Sequence, residues 1–140
     1  MATTTGAAYV FPVRVYWEDT DAGGIVFYAN YLKFFERART EWLRSLGIGQ
    51  RQLKDDSGGM FVVSQTNVRY LQPARLDDQL LVTVRLERIG SASLTLVQQI
   101  LAGTAADAAL LCEGSIRIGW VQAASLKPAR IPHTLLTLLG

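Results

Sequence analysis

One long helical pattern, flanked by segments of alternating hydrophobicity, constrains the fold of this chain more than any other feature. Apolar residues recur at positions i, i+3, i+4 and i+7 from Tyr31 to Leu46, which predicts an amphipathic helix over residues 28–46. Gly47 follows at the position where helices commonly end in a left-handed cap. Such a helix needs a second layer over its apolar side, so the remaining segments must supply that layer.

The other periodic segments alternate with a period of two, which is typical of strands. Residues 11–17 precede the helix, and four further segments, separated by turn-forming residues, follow it. These four are residues 60–71, 80–87, 94–101 and 110–121. The polar linker 50–59 has room for a short helix, and a short C-terminal helix is predicted over residues 132–139.

The predicted order is therefore β-α-β-β-β-β, an α+β fold in which a sheet covers one helix. We expect a single domain over residues 11–140, after a flexible N-terminal tail over residues 1–10 that is rich in Thr and Ala. The sheet contains more strand than one helix needs, and its edges have to be paired or charged. A homodimer with a continuous sheet would pair them.

Composition and charge exclude several classes of protein. Of the 140 residues, 49% are hydrophobic and 19% are charged, which is typical of a globular domain with a real core. The formal charge of +2 comes without a block of Lys and Arg, so we expect no nucleic-acid partner. The N-terminus lacks the pattern of a signal peptide, and no apolar run approaches the roughly 18 residues needed to span a membrane. The sequence thus predicts a cytoplasmic protein without membrane insertion.

Cysteine and histidine are too scarce for several kinds of chemistry. Cys112 is the only cysteine and His133 the only histidine, so the sequence predicts neither an internal disulfide nor a Cys/His zinc site. We expect no metal and no cofactor. A Ser-His-Asp mechanism would depend on His133, which we interpret instead as a solvated residue of the terminal helix.

The segment 14–31 carries the strongest chemical signal. A strand-like run ends in acidic residues, passes through Gly23 and Gly24, and opens the long helix. This order places the Asp21 carboxylate close to the unpaired N–H groups of a helix start, which suit a carbonyl oxygen that gains negative charge. From spacing alone, Asp21 is either a catalytic carboxylate or a turn and capping residue.

Several spaced motifs resemble those of the 4-hydroxybenzoyl-CoA thioesterase family, in its Tol–Pal-associated acyl-CoA thioesterase branch. The match begins with Asp-Thr-Asp-Ala-Gly-Gly at residues 19–24 and continues with Glu-Arg-Ala-Arg-Thr-Glu at residues 36–41. Residues 73–78 and 127–128 also lie where the family has similar stretches. The resemblance covers residues 11–132 and implies the hotdog fold, in which an antiparallel sheet wraps a long helix.

The resemblance implies a thioesterase that hydrolyses acyl-CoA or aroyl-CoA to the free acid and CoA. It maps the family's catalytic aspartate onto Asp21, which would act as nucleophile or as general base for water. The backbone from Gly24 to Tyr28 would stabilise the oxyanion, with the Tyr28 N–H polarising the thioester carbonyl. The Tol–Pal-associated branch often has a histidine at this position, so Tyr28 leaves the substrate open. The family also implies a homodimer or a homotetramer.

Further binding residues are candidates from their chemistry and position. The polar stretch Ser64, Thr66 and Asn67 in a predicted strand could reach across a dimer to an acyl pocket, or could form an outward-facing side of that strand. Cations near predicted strand ends could bind the CoA phosphates, although the same charges also suit a solvated surface. These cations are Arg88, Lys127 and Arg130.

Two other functions stay open at this point. A thioesterase acting on an acyl carrier protein would favour a positive patch around the cleft, because such carriers are acidic. A non-catalytic acyl-CoA-binding or envelope-associated protein would instead bind its ligand without turnover. A hotdog dehydratase ranks low, since it usually needs a histidine beside its carboxylate and none lies near Asp21.

Overall fold

A six-stranded antiparallel sheet covers one long helix in the computed structural model, which describes residues 2–3, 8–103 and 108–140. The strands are β1 (Ala2–Thr3), β2 (Tyr9–Arg14), β3 (Gly59–Tyr70), β4 (Gln79–Ile89), β5 (Ser93–Ala102) and β6 (Ala109–Gln122). The helices are α1 (Asn30–Ser45), α2 (Gln50–Ser57) and α3 (His133–Leu139), with a 3-10 helix at Trp17–Asp19. The sheet order is β1-β4-β5-β6-β3, and β2 also pairs with β4. The predicted β-α-β-β-β-β order is confirmed, and β1 precedes it. The short helices expected within residues 50–59 and over residues 132–139 are present as α2 and α3.

The predicted helix over residues 28–46 is confirmed as α1, which begins two residues later and ends one residue earlier. Its apolar stripe, which includes Phe34 and Phe35, is buried in the core. Burying one such side chain contributes about 1.5–3 kcal/mol, so the stripe holds the helix to the sheet. At its C-terminal end, Gly47 has a φ of 87° and the Ile48 N–H donates to the Leu43 carbonyl at 2.9 Å, which forms the expected left-handed cap.

The inner face of the sheet supplies the other half of the core. Residues that oppose each other across neighbouring strands share a face, because side chains alternate along each strand. Buried inner-face residues that alternate in this way along β4, β5 and β6 include Leu80, Val82, Leu94, Leu96, Ile100 and Ile116. The period-two segments of the sequence therefore mark the core side of the sheet correctly.

Two N-terminal predictions need correction. The flexible tail expected over residues 1–10 is wrong at Ala2–Thr3 and at Tyr9 and Val10, because these residues pair with β4; residues 1 and 4–7 lie outside the described residues. The first strand was also expected to continue to Trp17. It ends at Arg14, and the 3-10 helix that follows turns Trp17 outward, so that 77% of its surface is exposed.

The strand β3 forms one edge of the sheet. Within the described residues it pairs only with β6, and its 12 residues leave one long edge without a partner strand. A register shift between Val63 and Gln65 marks a bulge near its middle. A long unpaired edge is a ready template for another strand.

Candidate active site

Asp21 lies in a tight loop between the 3-10 helix and α1. Its Oδ1 accepts a hydrogen bond from the Gly23 N–H at 2.8 Å, and its backbone carbonyl accepts one from the Gly24 N–H at 3.1 Å. Gly24 has a φ of 78°, which side-chain-bearing residues rarely adopt. The loop thus fixes one carboxylate oxygen, while the residue itself stays exposed.

Asp19 and Asn30 hold this loop against the start of α1. The Asp19 side chain is 6% exposed, and its Oδ2 accepts a hydrogen bond from the Tyr16 N–H at 2.8 Å. The Asp19 carbonyl accepts from the Phe27 N–H at 3.1 Å and from the Asn30 side-chain amide at 2.9 Å. Asp19 is thus a buried residue that braces the loop, a role that its place in an acidic run of the sequence does not indicate.

The same loop is also bonded to the connection between β3 and β4. The Val26 N–H donates to the Ala74 carbonyl at 2.8 Å, and the Leu76 N–H donates to the Gly24 carbonyl at 3.1 Å. Behind them, the buried Tyr31 hydroxyl accepts from the Ala74 N–H at 3.0 Å. Desolvation is the main cause that raises the pKa of Tyr31, so this hydroxyl stays protonated and structural at neutral pH.

Tyr28 lies two residues before α1 begins, rather than inside the helix as predicted. Among the described residues its backbone N–H has no hydrogen-bond partner, so it is available to an oxygen of a ligand. Its side chain is 63% exposed and packs edge-on against Tyr70 of β3, with ring centres 6.1 Å apart. The tyrosine ring therefore joins the loop to the end of the edge strand.

The predicted acyl-pocket residues do not lie on one face. Thr66 opposes the buried Ile116 and faces the helix side of the sheet, whereas Asn67 opposes the exposed Ser115 and faces the other side. Asn67 lines an outer cavity of about 230 Å³ instead, so the structure does not bring it together with Thr66. Ser64 lies at the bulge, where its hydroxyl donates to the Arg117 carbonyl at 3.3 Å. Successive side chains of a strand point to opposite faces of the sheet, so consecutive polar residues cannot all line one pocket.

The three candidate cations lie at the end of the sheet opposite Asp21. The Asp21 loop contacts the residues just before β4, while Arg88 lies near the far end of this 11-residue strand. At about 3.4 Å per residue, the ends of β4 are separated by roughly 30 Å. Lys127 and Arg130 join Arg88 there, because the Lys127 carbonyl accepts from the Gln122 N–H and the adjoining Ile131 N–H donates to the Ser91 carbonyl.

Other reactive groups lie away from the loop or are inert. Cys112 is buried on β6, and desolvation raises the pKa of its thiol to about 12, so the thiolate needed for nucleophilic attack does not form at neutral pH. His133 is exposed at the start of α3, which follows the segment bonded to Ser91.

No group of three potential metal ligands occurs within residues 2–3, 8–103 and 108–140. In the same part of the chain, no helix has both the length and the apolar character to cross a membrane.

Comparison with known proteins identifies close relatives over most of the chain. The model of the thioesterase-like superfamily matches residues 15–139. The acyl-CoA thioesterase YbgC of Haemophilus influenzae is 39% identical over 124 residues, which cover 89% of this chain and 88% of that protein. The acyl-CoA thioester hydrolase YbgC of Escherichia coli is 40% identical over 125 residues, covering 89% and 90% of the two chains.

Solved structures share the same architecture. A probable thioesterase from Bartonella henselae superposes with a TM-score of 0.81 at 34% identity, covering 90% of this chain and 100% of that chain. A 4-hydroxybenzoyl CoA thioesterase mutant, solved with 4-hydroxybenzoyl CoA, reaches a TM-score of 0.88 at 18% identity over 95% of this chain and 99% of its own. The second likeness concerns the fold alone, and it confirms the predicted hotdog arrangement.

Proposed function

The chain belongs to the thioesterase-like superfamily, and from that premise we propose that it is an acyl-CoA thioesterase with Asp21 as its catalytic carboxylate. The observation that carries the proposal is an exposed carboxylate and an unbonded backbone N–H, that of Tyr28, within one braced loop. Relatives named as acyl-CoA thioesterases, at 39% and 40% identity, support the reaction. The substrate is then an acyl-CoA, and the products are the free acid and CoA.

Asp21 has two routes to the same products. As nucleophile, a carboxylate oxygen attacks the thioester carbon, the C–S bond breaks, and the CoA thiolate leaves and takes up a proton. Water then cleaves the mixed anhydride and releases the acid. As general base, Asp21 instead takes a proton from the water that attacks the carbonyl. Label found in Asp21 after a single turnover in ¹⁸O-labelled water identifies the anhydride route, because general-base catalysis places the label only in the released acid.

The Tyr28 N–H is proposed to donate to the oxyanion in either route. The start of α1 adds a partial positive charge on the same side, which favours the developing negative oxygen. Gly24 has no side chain and adopts a positive φ, so the thioester can approach the backbone closely at this position. Removing one oxyanion donor typically costs about 10²–10³ in kcat.

We infer that the active enzyme contains at least two copies of the chain. Two copies related by a twofold axis perpendicular to the sheet would pair antiparallel through their β3 edges, and this would close the open edge described above. The pairing would bring the Gly59 end of one β3 next to the Tyr70 end of the other. Because Tyr70 contacts Tyr28, each Asp21 loop would then lie beside the other copy's Gly59 end.

This arrangement also supports a CoA-binding role for the distant cations. Within one copy, Arg88, Lys127 and Arg130 lie too far from Asp21 to hold the same substrate. Across the proposed dimer, Lys127 of the second copy lies nearest, because its neighbour Gln122 pairs with Gly59. The CoA phosphates would therefore be bound by the copy that does not supply Asp21. Thr66 faces the helix side and remains a proposed acyl-pocket residue.

A thioester of an acyl carrier protein is the second candidate substrate. The exposed cations Arg88, Lys127 and Arg130 at one end of the sheet favour it, since acidic carriers would bind there. Either substrate is consistent with a cytoplasmic location, which the single buried cysteine also supports. Competition between acyl-CoA and the matching acyl carrier protein, measured by kcat/KM, decides between them.

Thiol release from a panel of acyl-CoA esters tests the proposal. Asp21→Asn should lower kcat by at least a thousandfold, since it removes the group that carries out the chemistry. Asp55→Asn is the matched control, because Asp55 is an exposed carboxylate on α2 without a hydrogen bond among the described residues. Wild-type turnover that survives in Asp21→Asn would contradict the assignment.

A further inference from the structure

Arg39 on α1 is held by a buried side-chain amide. Its Nη1 donates to Oε1 of Gln98 at 3.0 Å, and Gln98 is fully buried on β5. The Gln98 amide nitrogen donates to the Phe35 carbonyl at 3.0 Å and to the Thr83 carbonyl at 3.3 Å. Because both amide hydrogens are used on backbone carbonyls, the Gln98 oxygen can only face Arg39. The guanidinium is therefore fixed in position, as a recognition group has to be.

Within the described residues, no carboxylate lies at ion-pair distance from the Arg39 guanidinium. The two ion pairs among the described residues are Arg44–Glu41 and Arg69–Glu113, and Arg39 belongs to neither. Desolvation lowers the pKa of Arg39, and the nearby Glu36 only partly offsets this effect. Arg39 has five N–H donors, and Gln98 accepts from one of them. This half-buried guanidinium therefore has N–H donors that the acceptors of a bound molecule can use.

The spare donors lie beside a small cavity at the seam between α1 and the sheet. The cavity has a volume of about 160 Å³, and its lining includes Arg39, Glu36, Leu43, Phe61, Val63 and Ile118. A water molecule occupies about 30 Å³ of liquid, so this space holds roughly five small groups. The sheet side of the cavity is apolar, and Thr40 and Gln50 complete the lining on the helix side. The Glu36 carboxylate accepts from the Thr40 hydroxyl, which accepts from the Gln50 amide, so the fixed Arg39 guanidinium is the cation that faces this space. Such a cavity suits a short acyl chain with an oxygen at its far end.

The cavity lies where the proposed dimer would bring the catalytic loop. Phe61 and Val63 belong to the first half of β3, on the helix side of the sheet. Antiparallel pairing through β3 places this half next to the Tyr70 end of the other copy, and Tyr70 contacts Tyr28 of that copy's catalytic loop. An acyl chain whose carbonyl lies at one copy's Asp21 could then extend into the other copy's cavity.

We propose that Arg39, oriented by Gln98, is a specificity determinant that selects short acyl groups carrying a hydrogen-bond-accepting oxygen at the end distant from the thioester. This inference rests on the proposed thioesterase function and on pairing through β3. The accepting oxygen belongs to a neutral carbonyl or to a carboxylate, and both would be bound by the same donors. A carboxylate gains more, because a guanidinium binds it through two parallel hydrogen bonds.

Three four-carbon thioesters test the proposal: butyryl-CoA, acetoacetyl-CoA and succinyl-CoA, with enzyme-free rates subtracted. Arg39→Met removes the donors, and Arg39→Lys keeps the charge but loses the planar fork. For Arg39→Met, we expect kcat/KM on succinyl-CoA relative to butyryl-CoA to fall at least tenfold. Arg39→Lys should recover part of that loss. Arg37→Met is the matched control, because Arg37 is an exposed cation on the same helix, outside the cavity.

The three substrates also distinguish the two kinds of oxygen. A loss on both acetoacetyl-CoA and succinyl-CoA indicates recognition of any acceptor, and a loss on succinyl-CoA alone indicates recognition of the carboxylate. A ratio that changes less than twofold in both Arg39 variants, or an equal fall on all three substrates, overturns the proposal. Asp21-dependent turnover of butyryl-CoA would still leave the proposed function standing in that case. Wild-type enzyme without thiol release from any ester would overturn both.

Mixed dimers test the cross-copy geometry directly. A heterodimer of an Asp21→Asn copy and an Arg39→Met copy has one site with both native residues if these residues act across the interface. It has no such site if they act within one copy. We expect the isolated heterodimer to recover about half of the wild-type activity on succinyl-CoA. Activity no higher than that of the two parent variants would refute the arrangement.

Discussion

Asn30 is expected to control activity through the catalytic loop rather than through stability. Its side-chain amide donates a hydrogen bond to the Asp19 carbonyl at 2.9 Å. This hydrogen bond links a side chain of α1 to the loop that carries Asp21. Asn30→Ala removes this bond, while the Phe27 N–H still satisfies the same carbonyl at 3.1 Å. The cost to the free energy of unfolding should therefore be that of one hydrogen bond, about 1 kcal/mol.

The effect on turnover should be much larger than this cost. A domain of this size is stable by about 5–15 kcal/mol, so losing about 1 kcal/mol leaves nearly all molecules folded. A shift of about 1 Å in a catalytic group, however, can reduce the rate about a hundredfold. We expect Asn30→Ala to lower kcat between tenfold and a hundredfold. Asn30→Asp should be worse, because a carboxylate oxygen would face the Asp19 carbonyl.

Urea denaturation and steady-state kinetics on the same samples check this reasoning. Gln52→Ala is the control, since Gln52 is an exposed amide on α2 that bonds only Asp56 among the described residues. It should lose little stability and keep its kcat. If Asn30→Ala loses the expected stability with an unaltered kcat, the bond to Asp19 does not position the loop, and the argument fails.

Three further predictions concern the fold and the assembly. Gly47→Ala should lower the free energy of unfolding by about 1–2 kcal/mol, because its φ is 87°, whereas Gly49→Ala, with a φ of −91°, should cost less; urea melts compare the two. Sedimentation equilibrium should give at least twice the 15.4 kDa chain mass, and a monomer at micromolar concentration would contradict pairing through β3. Burial raises the pKa of the Cys112 thiol from 9.0 to about 12. As the pH rises, the unfolded chain therefore loses the thiol proton at a lower pH than the folded protein does. Stability should fall from pH 9 towards 12 by this contribution, and Cys112→Ala should flatten that slope in melts; an identical slope would refute the linkage.

Periodicity in the sequence was enough to predict the main elements of the fold. The apolar stripe of α1 and the alternating strands depend on local spacing, which a single sequence displays directly. The start of α1 was missed by two residues, because Asn30 bonds back to Asp19 and the turn before it lies outside the helix. Trp17 was misjudged because a 3-10 turn ends the strand early, and this depends on the buried Asp19 carboxylate.

The site was predictable only in its local part. Asp21, Gly24 and Tyr28 are close in sequence, so their loop could be expected from spacing and resemblance. The separation of Arg88 from Asp21 depends on which end of an antiparallel strand each residue occupies, which pairing decides. The bond between Arg39 and Gln98 joins residues 59 positions apart, and no local pattern indicates it.

The most direct test of the account is the rate of CoA thiol release by wild type, Asp21→Asn and Asp55→Asn on the same short-chain acyl-CoA. The account predicts measurable turnover for wild type and Asp55→Asn, and at least a thousandfold lower kcat for Asp21→Asn with an unaltered thermal melt. Near-normal kcat in a folded Asp21→Asn protein would contradict the claim that this carboxylate performs the chemistry.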